Sequence, residues 1–425
     1  MKILFLCNII PPEVSKHFGN DVEVCGGWIS SLIQELKSSL LDICVVFPFR
    51  KDLDNLKFSE ITYYGFISQY NNPTKYDRHL EKRFREIISK ENPDIVHIFG
   101  TEYPHTLAMT RAFKCPERTV CHIQGLVSVC GKHYAAGLPH NVCHISTLRD
   151  FLRHDNITQQ QKKFYKRGEY EIAALKNIDH IMGRTEWDKA CISFINPKAE
   201  YHYVQEIMRD SFYDGQWMFN NCEHYTIFMS QGSYPLKGLH YVIEALVMIK
   251  QKYSQVKLFI GGMSLEISKT LKGKFRVSSY SKYINKQIKK YHLQNNIFFL
   301  GSLSSEEMKE RYLKCNVFVS ASTIENSPNS VGEALLLGVP IVASDVGGVS
   351  SIVKHNETAF LYPSDEPYML AYYVEKLFGN NLIAEKIGNT ARENAVLSYN
   401  KTTIRDQVIN CYNSIIHKIN KNVRK

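Results

Sequence analysis

No stretch of this 425-residue chain reaches the roughly 18 apolar residues that a membrane-spanning helix needs. The apolar run after Lys2, ILFLC, is short, breaks at Asn8 and stops at Pro11-Pro12, so it reads as a first buried strand and not as a signal peptide. Cysteine is present as 11 scattered residues, an odd number without a framework. That argues against a disulfide-stapled secreted scaffold and suits reduced thiols in a cytoplasm. No internal repeat or low-complexity tract stands out, no G-x-G-x-x-G fingerprint is present, and nothing resembles an RNA- or DNA-binding module. Hydrophobic and charged fractions are ordinary for a globular protein, which excludes general disorder.

What is there is alternation. Apolar, β-branched runs at Ile43–Phe47, Asp94–Phe99, Arg118–His122 and Ile178–Met182 are separated by helical patterns, the first from Trp28 to Leu40. The pattern starts again with Tyr225–Ser230, Val256–Ile260, Ile297–Leu300, Val317–Ser320 and Ile341–Ala343. Strand and helix in turn imply parallel sheets covered on both faces. The length suits two such domains. Between them, residues 206–224 lose all regular period, and their aromatics Phe212, Tyr213, Trp217 and Phe219 are expected to pack on a domain face. The division is therefore 1–205, a linker at 206–224, 225–400, and a basic C-terminal helix at 401–425.

The most informative stretch runs from Asn316 to Ser350. A strand leads into a polar loop holding Glu325, then a helix with Ser327 as expected N-cap, Pro328 at its first position, and Gly338 and Pro340 closing it. Glu333 lies inside that helix, about 9 Å further along its axis. Free amides of the first turn, at Asn329 and Ser330 beside Pro328, make a seat for phosphate between the two carboxylates. Glu333 could then accept from the vicinal hydroxyls of a ribose and Glu325 could face a sugar. The plain alternative is two solvated acids near a helix terminus, where the dipole favours negative charge. Lys237, entering the helix LHYVIEALVMIK beside free amides, is a sound diphosphate ligand.

Glu325 and Glu333, with seven residues between them and ALLLGVPIVASDVGG following, closely resemble the signature of retaining family 4 glycosyltransferases. The resemblance extends through SQGSYPLKGLHYVIEAL and IMGRTEWD, strongly from about Tyr225 to Tyr362 and weakly before it. It implies the GT-B arrangement: an α/β protein of two doubly wound, Rossmann-like domains facing across a cleft. It implies transfer of a sugar, with retention and without a metal, from a nucleotide diphosphate to a saccharide or lipid-linked acceptor, as in capsule, O-antigen or exopolysaccharide synthesis. No cofactor is expected beyond the substrate nucleotide sugar, UDP- ahead of GDP-. In its terms His122 faces the donor sugar, Gly26 and Gly27 line the cleft, and Ser302 and Leu303 lie near the base. Relatives carry an arginine about five residues before the lysine, where this chain has Gln231-Gly232-Ser233. Arg184, another basic group or backbone amides would have to replace it. Arg184 alternatively pairs with Glu186 or Asp188. A decayed binding or scaffolding homologue, or a nucleotide-sugar epimerase, are the rival readings. The formal charge of +10 suits acidic partners, nucleotide sugars and anionic lipid surfaces among them.

Three further features carry less. Asp52-Leu53-Asp54 has the D-x-D form of metal-dependent sugar transferases but sits in a charged loop and reads as solvated. Cys115, Cys121, Cys130, Cys143, His122, His133, His140 and His144 crowd one segment, yet their order and intervals match no common zinc finger. From Arg149 to Lys176 a basic helix would suit anionic head groups at the inner face of a membrane.

Overall fold

A computed structural model describes residues 1–19, 27–58, 60–68, 72–267, 270, 273 and 275–423. The chain divides into two compact units: Met1–Val129 with Lys163–Ile207 and Tyr399–Lys425, and Cys130–Lys162 with Met208–Ser398.

The first unit is built on β1 (Lys2–Leu6), β2 (Asp42–Phe49), β3 (Leu53–Phe58), β4 (Ile61–Ile67), β5 (Ile95–Phe99), β6 (Thr119–His122), β7 (His180–Gly183) and β8 (Glu200–Tyr203). Their order among the described residues is β3-β4-β2-β1-β5-β6-β7-β8. All neighbours are parallel except the edge pair β3 and β4. The inner strands are buried almost throughout and mostly apolar because both faces are covered, as parallel sheets require, with His97 and His122 as polar exceptions. One face packs Ile3, Phe5, Val45 and Phe47 with Ile404, Val408, Tyr412 and Ile415 of the C-terminal helix Lys401–Val423. The other packs Leu4, Val46, Ile98 and Cys121 with Phe84 and Met109.

The second unit carries β9 (Glu223–Met229), β10 (Lys257–Gly261), β11 (Ile297–Gly301), β12 (Cys315–Ser320), β13 (Ile341–Ser344) and β14 (Phe360–Tyr362). Their order is β11-β10-β9-β12-β13-β14, parallel throughout. Both sheets are thus doubly wound. In the second the direction of winding reverses between β9 and β12, and such a switch point is where an open sheet offers a crevice.

Several local expectations shift. The early helix spans Gly27–Leu36 and stops short of Leu40, where Ser39 N–H closes on the Leu36 carbonyl at 3.0 Å. The basic helix expected from Arg149 onward is two helices, Leu148–Arg153 and Ile157–Leu175. His154, at φ 48°, ends the first. Asn156 and Gln159 cap the second by exchanging side-chain-to-backbone bonds of 2.9 Å each. Residues 130–162, placed by the pattern in the first domain, pack with the second unit. The irregular stretch also belongs there from Met208 on. Its Phe212 and Trp217 are buried, and Trp217 Nε1 donates to the Cys315 carbonyl at 2.7 Å.

Candidate active site

The site in the second unit grows from the ends of β9 and β12. After β9 the chain makes a short 3-10 turn, Pro235–Lys237, and Gly238 then turns into the helix Leu239–Lys252. Gly238 has φ 69°, and a Cβ there would stand 1.8 Å from the Ala321 carbonyl oxygen in the loop after β12. Only glycine lets the two loops approach this closely. That approach brings Lys237 Nζ onto Glu325 Oε1, which also accepts from Ser322 Oγ at 2.8 Å. Burial works to lower the Lys237 pKa, but the Glu325 carboxylate and Tyr234 outweigh it and hold the ammonium charged well above its ordinary range.

The Gly347-Gly348 turn after β13 has a defined task. Gly347, at φ 54°, would drive a Cβ to 2.0 Å from the Glu325 carbonyl oxygen, and Gly348 N–H donates to that same oxygen at 3.0 Å. Glu325 is therefore fixed at its backbone by one turn and at its carboxylate by another.

The next helix spans Asn329–Leu337. Pro328 is its N-cap, with ψ 118°, and no side chain caps it, so the expected role of Ser327 passes one residue on. Pro328 is buried while Asn329 and Ser330 are half-buried. Tyr312 Oη donates to the Ser330 carbonyl at 2.8 Å and steadies the first turn. Glu333 is only 6% exposed. It is not a solvated acid: Arg209 donates to its Oε1 through Nε at 2.8 Å and Nη2 at 2.7 Å. Burial pushes the Glu333 carboxyl up to about 7 against the opposing pull of Arg209. Arg209 was not anticipated. It stands in the stretch without period, 124 residues from its partner, and no spacing rule could have paired them.

Gln231 turns its side chain onto its own loop, accepting from Gly232 N–H at 3.0 Å and Ser233 N–H at 3.2 Å. It brings no charge to replace the arginine of the resembling family. Ser302 and Leu303 follow β11, the edge strand, two strands from the switch point. Leu303 approaches Gly261 at the end of β10, with its Cδ1 3.7 Å from where a Cβ would be.

The remaining expected residues lie in the first unit. His122 ends β6 with its ring stacked on His97 at 6.0 Å and 11°. Burial first, then the His97 and Arg184 charges, hold its pKa well below the ordinary value, so the ring is neutral. Arg184 is 2% exposed and is committed to Glu206 at 2.8 Å, with longer contacts to the Ile123 and Gln124 carbonyls. Glu206 is a partner that the sequence did not single out. Asp188 accepts from the Arg184 backbone N–H at 3.0 Å and closes the capping box of Thr185. Gly27 opens the helix Gly27–Leu36, and Gly26 lies outside the described residues.

Asp54 pairs with Arg83 at 3.0 Å, and Asp52 accepts from Ile67 N–H at 3.0 Å, so the D-x-D pair is tied into the β3–β4 edge. Among the described residues the crowded cysteines and histidines of 115–144 form no group of three near enough to share an ion. The set that does is His180, Glu200 and His202 on β7 and β8, where Lys418 already holds Glu200.

Comparison with known proteins agrees with this geometry. Residues 215–394 match the family described as glycosyl transferases group 1. Over 181 residues the chain is 26% identical to the capsular polysaccharide biosynthesis glycosyltransferase CapM of Staphylococcus aureus, covering 42% of this chain and 43% of that one. The chain spans about two fifths of the length of the curated relatives it matches. Sucrose-phosphate synthase of Thermosynechococcus elongatus superposes with a TM-score of 0.70 at 16% identity, over 98% of this chain and 100% of that one. HepE of Anabaena, solved with UDP and glucose, gives 0.66 at 17% identity over 97% and 100%. The fold is that of these GT-B neighbours.

Proposed function

We propose that the chain, whose residues 215–394 match the group 1 glycosyl transferases, is a metal-independent, retaining enzyme. It moves a sugar from a nucleotide diphosphate, UDP ahead of GDP, to a saccharide or lipid-linked saccharide. The bond from the anomeric carbon to the diphosphate breaks, and one to the acceptor oxygen forms on the same face. The acceptor's proton leaves with the diphosphate. CapM's role in capsule synthesis and the UDP in HepE support this choice of substrates. The resemblance around Glu325 and Glu333 supports retention. The chain's buried free thiols suit work in the cytoplasm.

The observation that carries the reading is the Lys237–Glu325 pair at the switch point, beside a helix whose Glu333 is gripped by Arg209. Lys237 and the first-turn amides, with Pro328, Asn329 and Ser330 at the mouth, would take the diphosphate and stabilise its charge as it departs. Glu325 would then be released from the lysine towards the sugar, where it orients the donor and offsets positive charge at the anomeric carbon. Ionised Glu333 would accept from the ribose hydroxyls. Arg209 supplies a second cation in this unit, so loss of the family's usual arginine does not by itself mean a decayed site. His122, Arg184, Gly26, Gly27, Ser302 and Leu303 keep the roles the resemblance implies only as proposals. Arg184 is the weakest of them, its guanidinium being committed already.

Nucleotide release from panels of UDP- and GDP-sugars, with and without membrane extract as acceptor source, tests this. Release should require acceptor, and Lys237→Met should lower kcat/KM by about 10²- to 10³-fold. Glu325→Ala should fall at least as far. Conversion of donor without acceptor would establish an epimerase, and binding without turnover a scaffold.

A further inference from the structure

The helix Leu148–Arg153 is inside out. Its acid, Asp150, is fully buried, while Leu148, Phe151 and Leu152 are 53%, 67% and 70% exposed, with Ile145 just before them at 48%. Positions i, i+3 and i+4 share one helix face. A six-residue helix therefore presents a continuous apolar face outward. This is no accident of a loose loop, because the polar side is anchored. Asp150 accepts from Ser279 N–H at 2.8 Å and pairs with Arg149 at 2.9 Å, and Thr147 Oγ1 donates to the Val277 carbonyl at 2.7 Å. Thr147 and Asp150 also form a capping box. The helix is thus riveted to the start of the helix Ser279–Lys290, with its greasy side left uncovered.

Charge says what covers it. On Ser279–Lys290, Lys282 and Lys286 are exposed one turn apart, and both line a cavity of about 420 Å³ that Ile145 also lines. Arg153 is exposed at the other end of the apolar face. A rim of like positive charge, on a chain of net +10, opposes pairing with a second copy and favours an anionic surface. We propose that Ile145, Leu148, Phe151 and Leu152 enter the interface of an anionic lipid bilayer, with Lys282 and Lys286 meeting phosphate head groups in the adjoining cavity. Apolar side chains at head-group depth and flanking lysines are the two contributions that together hold a peripheral protein on such a surface. The inference is independent of the sugar donor and of Glu325.

Flotation of the full chain with phosphatidylcholine vesicles, with and without phosphatidylglycerol, tests it. The protein should float with the anionic vesicles and stay behind with the zwitterionic ones, and raised salt should weaken the association. Phe151→Ser with Leu152→Ser should cut the partition coefficient by at least about tenfold with an unchanged melting temperature. Lys282→Glu with Lys286→Glu should do the same for anionic vesicles. Failure of the wild type to float, or equal flotation of the serine variant, overturns the proposal. So does a dimer by light scattering that the serine variant splits while no vesicle binding is seen.

Discussion

Glu333 is one carboxyl with two opposed demands. Buried beside Arg209, it holds its proton up to about 7 where the ordinary value is 4.5. A folded pKa above the unfolded one means stability present below about pH 4.5 and lost as pH rises through about 7. Glu333→Gln removes that dependence. The stability of the wild type relative to the variant should therefore fall by up to about 3 kcal/mol between those limits. Denaturant midpoints across pH, read as the difference between the two proteins, check it; a flat difference would contradict it. Binding of a nucleotide sugar runs the other way. On the proposed reading the ionised form would accept from ribose, so the wild type's donor affinity should weaken as pH falls below about 7.

At the scale of elements, the site is a contest of turns. The strands and the helix Asn329–Leu337 were legible because their periods are local: apolar runs for β12 and β13, and Gly338 as the left-handed C-cap at φ 70°. The capping box of Ser304 and Glu307 is local in the same way, its two members three residues apart. What the residues did not disclose depends on distant partners. Arg209 has meaning only through Glu333, and the outward face of Leu148–Arg153 only through the pull of Ser279 on Asp150. The cysteines and histidines of 115–144 illustrate the converse: near in sequence, they diverge because His122 and Cys121 are strand residues buried in the sheet while His140 and His144 stand on an exposed turn of helix. Gly238 allows a test at this scale. Gly238→Ala must both hold φ 69° and clear the Ala321 carbonyl, and should cost at least about 2 kcal/mol while displacing Lys237. Gly301→Ala, at φ 76° with nothing within 4 Å, should cost only about 1 kcal/mol. Equal thermal shifts for the two would show that the close approach of the loops does not matter.

For the whole molecule, the chain passes from one unit to the other four times, at 129/130, 162/163, 207/208 and 398/399. The excursion 130–162 supplies structure that the second unit cannot make from 208–398 alone. His240 Nε2 meets the Ala136 carbonyl at 3.1 Å, Thr323 Oγ1 donates to the His133 carbonyl at 3.1 Å, and Asp150 holds Ser279. A fragment of residues 208–398 should therefore lack a sharp thermal transition, and adding 130–162 through a linker should restore one. Cooperative unfolding of the shorter fragment at the temperature of the longer would contradict this.

That excursion also constrains how specificity can be exchanged between relatives. A chimera joined once, near residue 207, would inherit the Lys237–Glu325 machinery from one parent and the loop that braces Thr323 and His240 from the other. Recombinants that keep the second unit intact must carry two separate tracts of the gene together, so a single crossover should yield mostly misfolded progeny.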